Sequence, residues 1–443
     1  MQTPFEYEFV KPSDARFAFE GRIDFEDENA PVFVYPCSFV RFRVRGHFAA
    51  LACENRHSYF ENTLGVLVDG EYRGKIVLHD GNTTQGESVS QFLLRLPAGS
   101  GVAKDATARS GREEIEGLAA LSEREEIEEL AALSGNEKVR MYDLGAFLDG
   151  GEHELTIFKR MDACHYVTLR GVIAEELLAA AKTYSAGKAG SLDVGEVPCE
   201  KADKPCGEKA QRDIVSKERR IEVYGDSISC GEVSEAIGRC GGDDPEGHNG
   251  IYSNSFYSYP WILARKLGAR LHDIAQGGIA LWDGTGYFDL PNAKGMLSTY
   301  DKIENNPSLG ERKPWDFRKY IPHVVIIAIG QNDHYPVNFM VEDYDGEDAK
   351  GWRRDYRSFV ETIRSKYPKA TILLTTTILG HEPEWDQAID EVWRELGDPK
   401  VYHFLYSKNG CGTTGHVRAP EAEQMAQELK DFLDGLGEEI WQD

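Results

Sequence analysis

Five short apolar runs punctuate the second half of the chain: Ile221-Glu-Val-Tyr, Leu271-His-Asp-Ile-Ala, His323-Val-Val-Ile-Ile-Ala-Ile, Thr371-Ile-Leu-Leu-Thr-Thr-Thr and Val401-Tyr-His-Phe-Leu-Tyr. Between them stand stretches with helical spacing, Pro260 to Leu267, Trp352 to Lys366 and Trp385 to Leu396, and a last one runs from Glu421 to Leu433. Short apolar runs that alternate with amphipathic helices predict a parallel sheet covered by helices on both faces. This is the strongest constraint in the chain, because a ligand site on such a sheet lies at the carboxyl ends of its strands. The residues just after each run therefore carry most of the functional information.

The first 175 or so residues are patterned differently. Phe33-Val-Tyr, Val40-Arg-Phe-Arg-Val, Leu64-Gly-Val-Leu-Val, Gly74-Lys-Ile-Val-Leu and Glu154-Leu-Thr-Ile-Phe-Lys are short segments separated by turn signals such as Asp69-Gly70, Asp80-Gly81 and Asp149-Gly150-Gly151. Such segments predict antiparallel strands, enough of them for an all-β sandwich. One stretch departs from the pattern. Arg112-Glu-Glu-Ile-Glu-Gly-Leu-Ala-Ala-Leu-Ser-Glu is followed directly by Arg124-Glu-Glu-Ile-Glu-Glu-Leu-Ala-Ala-Leu-Ser-Gly, a tandem duplication with eight Glu against two Arg. Residues 100–137 are expected to be a helical or disordered insertion in a sandwich loop. Residues 185–218, with little apolar content and several Gly and Pro, read as a linker. The expected organisation is a sandwich over 1–184, this linker, and the α/β unit over 219–443.

Composition narrows the function. Fifty Lys plus Arg against 75 Asp plus Glu leave a formal charge of −25, which repels phosphate backbones and anionic lipid surfaces. Neither nucleic acid nor membrane is an expected partner, and no apolar run approaches the roughly 18–20 residues of a membrane span. The opening residues carry no secretion-signal pattern, so either a signal has been cut away or the setting is cytoplasmic, and the cytoplasmic setting is the expectation. Eight cysteines without a C-x-x-C pair are expected to be free thiols, with Cys199/Cys206 and Cys230/Cys240 the pairs most able to bridge. No oligomeric state follows from any of this.

The segments after the runs hold a coherent set of groups. Gly225-Asp226-Ser227 follows the first, Gln276-Gly277-Gly278 the second, Gly330-Gln331-Asn332-Asp333 the third, and Gly410-Cys-Gly-Thr-Thr-Gly415-His416 the fifth. A hydroxyl, backbone donors beside glycine, a side-chain amide and an imidazole are the components of acyl transfer: nucleophile, oxyanion hole and base. Each is ordinary alone. Their order on successive strand ends makes the case.

That ordered set resembles the four blocks of the SGNH (GDSL-type) hydrolases. The resemblance covers about residues 219–440. It implies Ser227 as nucleophile, His416 as its base, and an oxyanion hole from the Ser227 and Gly278 amides with the Asn332 side chain. Asp226 and Asp333 are expected in supporting roles. A sandwich ahead of such a domain is further similar to carbohydrate esterase family 2, which pairs an N-terminal jelly roll with an SGNH domain; Gly21-Arg-Ile-Asp-Phe25 and Gly151-Glu-His-Glu-Leu-Thr-Ile-Phe-Lys-Arg160 resemble its jelly-roll signatures. The implied activity is removal of O-acetyl groups from xylan or mannan oligosaccharides through an acyl-enzyme, without metal or cofactor. SGNH enzymes usually place an Asp three residues before the His, where this chain has Thr413. Either backbone carbonyls orient the base or an acid reaches it from elsewhere.

Aromatics near the strand ends are candidate sugar-stacking surfaces: Trp282 first, then Trp315 and Tyr335, with Tyr252 and Tyr287 also considered. Rival motifs fare worse. Gly410-Cys-Gly412-Thr-Thr-Gly415 spells G-x-G-x-x-G, but too few residues follow it for a further strand bearing a ribose-binding acid. There is no G-x-S-x-G elbow and no H-E-x-x-H pair, and His334 and His381-Glu382 lack a third metal ligand at suitable spacing. Alternative readings are another acyl hydrolase, lipase or thioesterase, and a carbohydrate-binding protein without activity, which Thr413 favours.

Overall fold

A computed structural model describes residues 7–79, 87–95, 132–179 and 218–442. Most of the expected insertion, and the linker apart from Glu218, lie outside the described residues. The antiparallel half is one 11-stranded sheet rather than two separate ones. The reason is a single 19-residue strand, Phe39–His57, that serves both sides of a curl. Its first part pairs with Glu152–Lys159 and the rest with His165–Leu178. The curl encloses an apolar interior that includes Phe42, Val44, Leu51, Val66, Leu155 and Val167. Asp69 and Gly70, at φ 52° and 82°, make the tight turn between Thr63–Val68 and Glu71–Val77 that the Asp-Gly pair predicts.

The second half is a five-stranded, all-parallel sheet built from Arg219–Gly225, Ala269–Ala275, Val324–Ala328, Thr371–Thr375 and Val401–His403. In that numbering the spatial order is 2-1-3-4-5, and the connections leave the first strand in opposite directions. Each strand is buried on both faces. Ile221 and Val223 face the helices Tyr259–Leu267 and Ala419–Leu436, while Tyr224 faces Glu347–Lys366 and Pro383–Leu396. The third of these helices starts before the expected Trp352, since its polar first turn carries Glu347 and Asp348, stabilising at a helix N-terminus but silent in an apolar count.

The two halves interlock through the short motifs Gly21–Phe25 and Gly151–Arg160. Arg22 is fully buried; its guanidinium donates to the Tyr300 carbonyl at 2.6 Å and reaches Glu222 of the first parallel strand at 3.4 Å. Arg160, equally hidden, pairs with Glu235 at 2.7 Å and donates to the Ser253 carbonyl at 2.8 Å. Removing one member of a buried ion pair strands the other in a dry interior. Arg22→Met is therefore expected to lower the unfolding free energy by about 3–5 kcal/mol, measured as a shift of the urea midpoint; an unchanged midpoint would show that Glu222 finds other partners.

Among the described residues, no helix is long and apolar enough to cross a membrane. Cys37, Cys53, Cys164, Cys230, Cys240 and Cys411 are unbridged, which sets aside a Cys230–Cys240 disulfide: the first is buried at the end of the short helix Ser227–Cys230 and the second is exposed. Cys199 and Cys206 lie outside the described residues.

Candidate active site

In a 2-1-3-4-5 sheet the crevice opens between the first and third strands, where the strand order reverses. The residues singled out after the strands meet there. Ser227 begins the one-turn helix Ser227–Cys230, with Asp226 as its N-cap: Asp226 Oδ1 accepts the Ile228 N–H at 3.0 Å. Asp226 Oδ2 accepts from the Gln331 side chain at 2.5 Å and from Asn332 Nδ2 at 3.1 Å, tying the first strand end to the third. Burial raises the Asp226 carboxyl to about 6, with the Gln331 and Ile228 hydrogen bonds opposing it only in part. Asp333 lies deeper and accepts from the Leu281 amide at 2.9 Å and the Trp352 indole at 2.8 Å; burial lifts it to about 7.

Gly278 sits at φ 69°, a left-handed conformation in which a side chain would also press on Tyr287 and Phe288. Its carbonyl is held by the Tyr287 amide at 2.8 Å. No partner among the described residues takes the amides of Ser227 and Gly278, and both residues line the same cleft. Asn332 also lines it, but Nδ2 donates at 3.0 Å to the Ile279 carbonyl as well as to Asp226, so both amide hydrogens are engaged.

His416 has a carboxylate partner. Its Nδ1 lies 2.5 Å from Asp244 Oδ2, its backbone N–H donates to Asp244 Oδ1 at 2.9 Å, and Arg418 holds the same oxygen at 3.0 Å. The approach is so close that a side chain at Gly415 would collide with Asp244, which explains the glycine before the histidine. Burial favours the neutral acid, but the His416 hydrogen bond and charge overcome it and hold Asp244 at about 2. Thr413, at the position that usually carries the acid, is buried in the loop and bonds to Ile378 and Gly242 instead. On the other edge of the ring, Glu232 Oε2 stands 3.6 Å from Nε2. Burial pushes the His416 pKa down, but Glu232 and Asp244 outweigh it and leave it raised; burial also raises Glu232.

The cleft is about 840 Å³ and is shared between the halves, with Ser58, Tyr59 and Phe60, just past the strand Phe39–His57, forming one wall. Tyr287 lines the rim and stacks on Tyr335 with centroids 4.6 Å apart; the two are 54% and 42% exposed, so an aromatic face is open to solvent. The other stacking candidates are elsewhere. Trp282 packs on Phe339 and donates to Asp355, and Trp315 is buried against Arg22 and His272, so both serve the packing of the α/β half rather than the cleft. The apolar bulk that made them attractive in the sequence is used by the core. His381 bonds to Leu379 and Asp386 within its own loop. Among the described residues no group of three or more His, Cys, Asp or Glu is placed to hold a metal ion.

Comparison with known proteins agrees with this architecture. The model for the N-terminal region of carbohydrate esterase 2 matches residues 19–93. A family two carbohydrate esterase from Clostridium thermocellum, solved in complex with cellohexaose, superposes with a TM-score of 0.60 at 22% identity, covering 95% of this chain and 99% of that one. In both halves the chain resembles the family 2 carbohydrate esterases. Among curated proteins, it is 30% identical over 227 residues to an acetylxylan esterase / glucomannan deacetylase of Cellvibrio japonicus, covering 49% of this chain and 57% of that one. It is 34% identical over 231 residues to the cellulase/esterase CelE of Acetivibrio thermocellus, covering 49% of this chain and 26% of that one. The chain thus spans only part of the length of these curated relatives.

Sequence reasoning missed Asp244, Glu232 and Tyr59. Asp244 had a faint signal, the turn-rich Gly241-Gly-Asp-Asp-Pro245 shortly after Ser227; the other two had none.

Proposed function

We propose that this protein is a carbohydrate esterase that removes acetyl groups from xylan- or mannan-derived oligosaccharides through a covalent acyl-enzyme. The observation that carries the reading is the His416–Asp244 pair opening onto the same cleft as Ser227 and two unpartnered amides. Asp244 fixes the tautomer that leaves Nε2 able to accept a proton. Nε2 takes the proton from Ser227 Oγ, which attacks the acetyl carbonyl. The Ser227 and Gly278 amides receive the developing negative charge, each donor being worth about 10²–10³-fold in rate. Asn332 becomes the third donor by exchanging its longer bond, to Asp226, for the oxyanion; Asp226 keeps its bonds from Gln331 and Ile228. The sugar hydroxyl leaves with the proton, and water repeats the sequence on the acetyl-serine.

The stacked Tyr287–Tyr335 face, the acidic composition and the names of the relatives support a neutral sugar ester as substrate. With Asp244 beside His416, Thr413 no longer favours a binding protein without activity. We also read the curled sheet as a jelly roll, the domains as 1–184 and 219–443 joined by 185–218, and the unbridged thiols as suited to a reducing, cytoplasmic setting. The deciding experiment is acetate release from acetylated xylan and glucomannan oligosaccharides, run beside esters of longer acyl chains. Turnover of the acetylated sugars is expected; preference for long acyl chains would favour a lipase instead.

A further inference from the structure

Behind the cleft lining, next to Tyr59 and Gly277, stands a heavily bonded carboxylate of the antiparallel half. Asp162 lies in the turn Met161–His165 and is almost fully buried. Its Oδ2 accepts the Gly277 N–H at 2.6 Å and the Tyr59 hydroxyl at 2.8 Å. Its Oδ1 accepts from the Cys164 amide at 3.1 Å and faces His165 Nδ1 at 2.9 Å. The turn also crosses between the halves through its backbone, the Ala163 N–H donating to the Ala275 carbonyl at 3.3 Å. Beneath it Lys159, with no exposed surface, donates through Nζ to the carbonyls of Met161 and Asp162. Four donors and a buried cation are more than a chain reversal requires.

Gly277 explains where the turn is aimed. It immediately precedes Gly278, and its position is so confined that a side chain there would press on Glu232, Asp162 and Tyr59 together. The peptide groups before and after the Gly277–Gly278 peptide are thus both held, the first through the Gly277 N–H by Asp162 and the second through the Gly278 carbonyl by Tyr287. Between them the N–H of Gly278, which lines the cleft, has no partner among the described residues. A charge-assisted bond to a backbone N–H is short and about twice as strong as a neutral one, which suits it to fixing a loop. Burial would raise the Asp162 carboxyl, but the His165 contact and the Lys159 charge hold it well below the usual carboxylate range, so it remains an acceptor.

We infer that Asp162 is a positioning residue of the oxyanion loop, so that the antiparallel half completes the catalytic apparatus of the α/β half instead of merely walling its cleft. The inference rests on the esterase reading given above. Its action is indirect: Asp162 touches neither substrate nor nucleophile and works through the backbone of Gly277 and Gly278. Its effect belongs to the transition state, when the carbonyl oxygen gains charge, and not to ground-state sugar binding.

The test compares Asp162→Ala and Asp162→Asn with the wild type. On a small acetyl ester, Asp162→Ala is expected to lose about 10²-fold in kcat, the scale of one oxyanion donor, with KM changed by less than about threefold because the interaction is made only in the transition state. Asp162→Asn keeps an oxygen for the Gly277 amide and is expected to retain more of kcat. An alkyl boronic acid, whose tetrahedral adduct on serine places an oxygen in the hole, should bind more weakly in step with kcat. Hydrogen exchange of the peptide covering 276–279 supplies a readout that needs no turnover: exchange is expected to quicken in both variants. Unchanged exchange overturns the inference even if the protein proves not to be an esterase, and a loss confined to KM overturns it if it is. If Asp162→Ala fails to fold, a folded Asp162→Asn with wild-type kcat and wild-type exchange is equally decisive against it.

Discussion

Ser227→Ala should reduce kcat on acetyl esters by a factor on the order of 10⁶, the scale for deleting the nucleophile of a serine–histidine–acid unit. Of the other hydroxyls lining the cleft, Tyr59 is bonded to Asp162, Tyr287 to His334, Ser308 to Asn306 and Thr414 to Asp243, and Ser58 belongs to the antiparallel half, so none is placed to replace the lost one. Folding should be unaffected, because Ser227 Oγ makes no hydrogen bond to any described residue and its removal strands no partner. A small side chain lost without a broken network stays within about 0.5 kcal/mol. Affinity for the acetylated sugar should likewise survive, which calorimetry with the inactive variant would measure. A variant that hydrolyses within tenfold of the wild type would refute nucleophilic catalysis at Ser227.

Asp244→Asn is expected to cost about 10⁴-fold in kcat. The amide would be nearly isosteric, but its NH₂ would donate to Nδ1 and move the ring proton to Nε2, where it blocks acceptance from the serine. The pH profile provides a second check. Burial lowers the His416 pKa, Glu232 and Asp244 more than compensate, and the net direction is upward. Because only the neutral ring is a base, kcat/KM of the wild type should fall as pH drops through a value above the ordinary imidazole pKa of about 6.5. Removing the Asp244 charge should move that acid limb to lower pH. A profile unaltered by the substitution would mean that Asp244 does not face the titrating base, and a kcat within tenfold of wild type would mean that backbone groups suffice to orient it.

What was readable in the sequence divides along physical lines. The five apolar runs, the amphipathic helices and the blocks at Ser227, Gly278, Asn332 and His416 were legible because strand period, helix period and strand-end placement are local consequences of the chain. Strand Phe39–His57 was visible only at its start, since its second half changes partner and its apolar pattern changes with it. Trp282 and Trp315 misled because aromatic bulk serves a core and a sugar platform equally well, and only packing distinguishes the two.

The charges show the same division at the site itself. The serine, the histidine and the glycines that let the backbone come close were legible in the sequence alone, each at a fixed offset from a strand. The acid was not, because Asp244 reaches His416 across 172 positions of sequence through a loop that folds back over the fifth strand's own loop. Nor was the part of Asp162, which meets Gly277 across 115 positions and from the other half of the molecule. Local periodicity records what a residue does within its own element; a hydrogen bond between loops that meet only after both halves have folded leaves no period behind, and only the tertiary structure decides which of 75 acidic residues it will use.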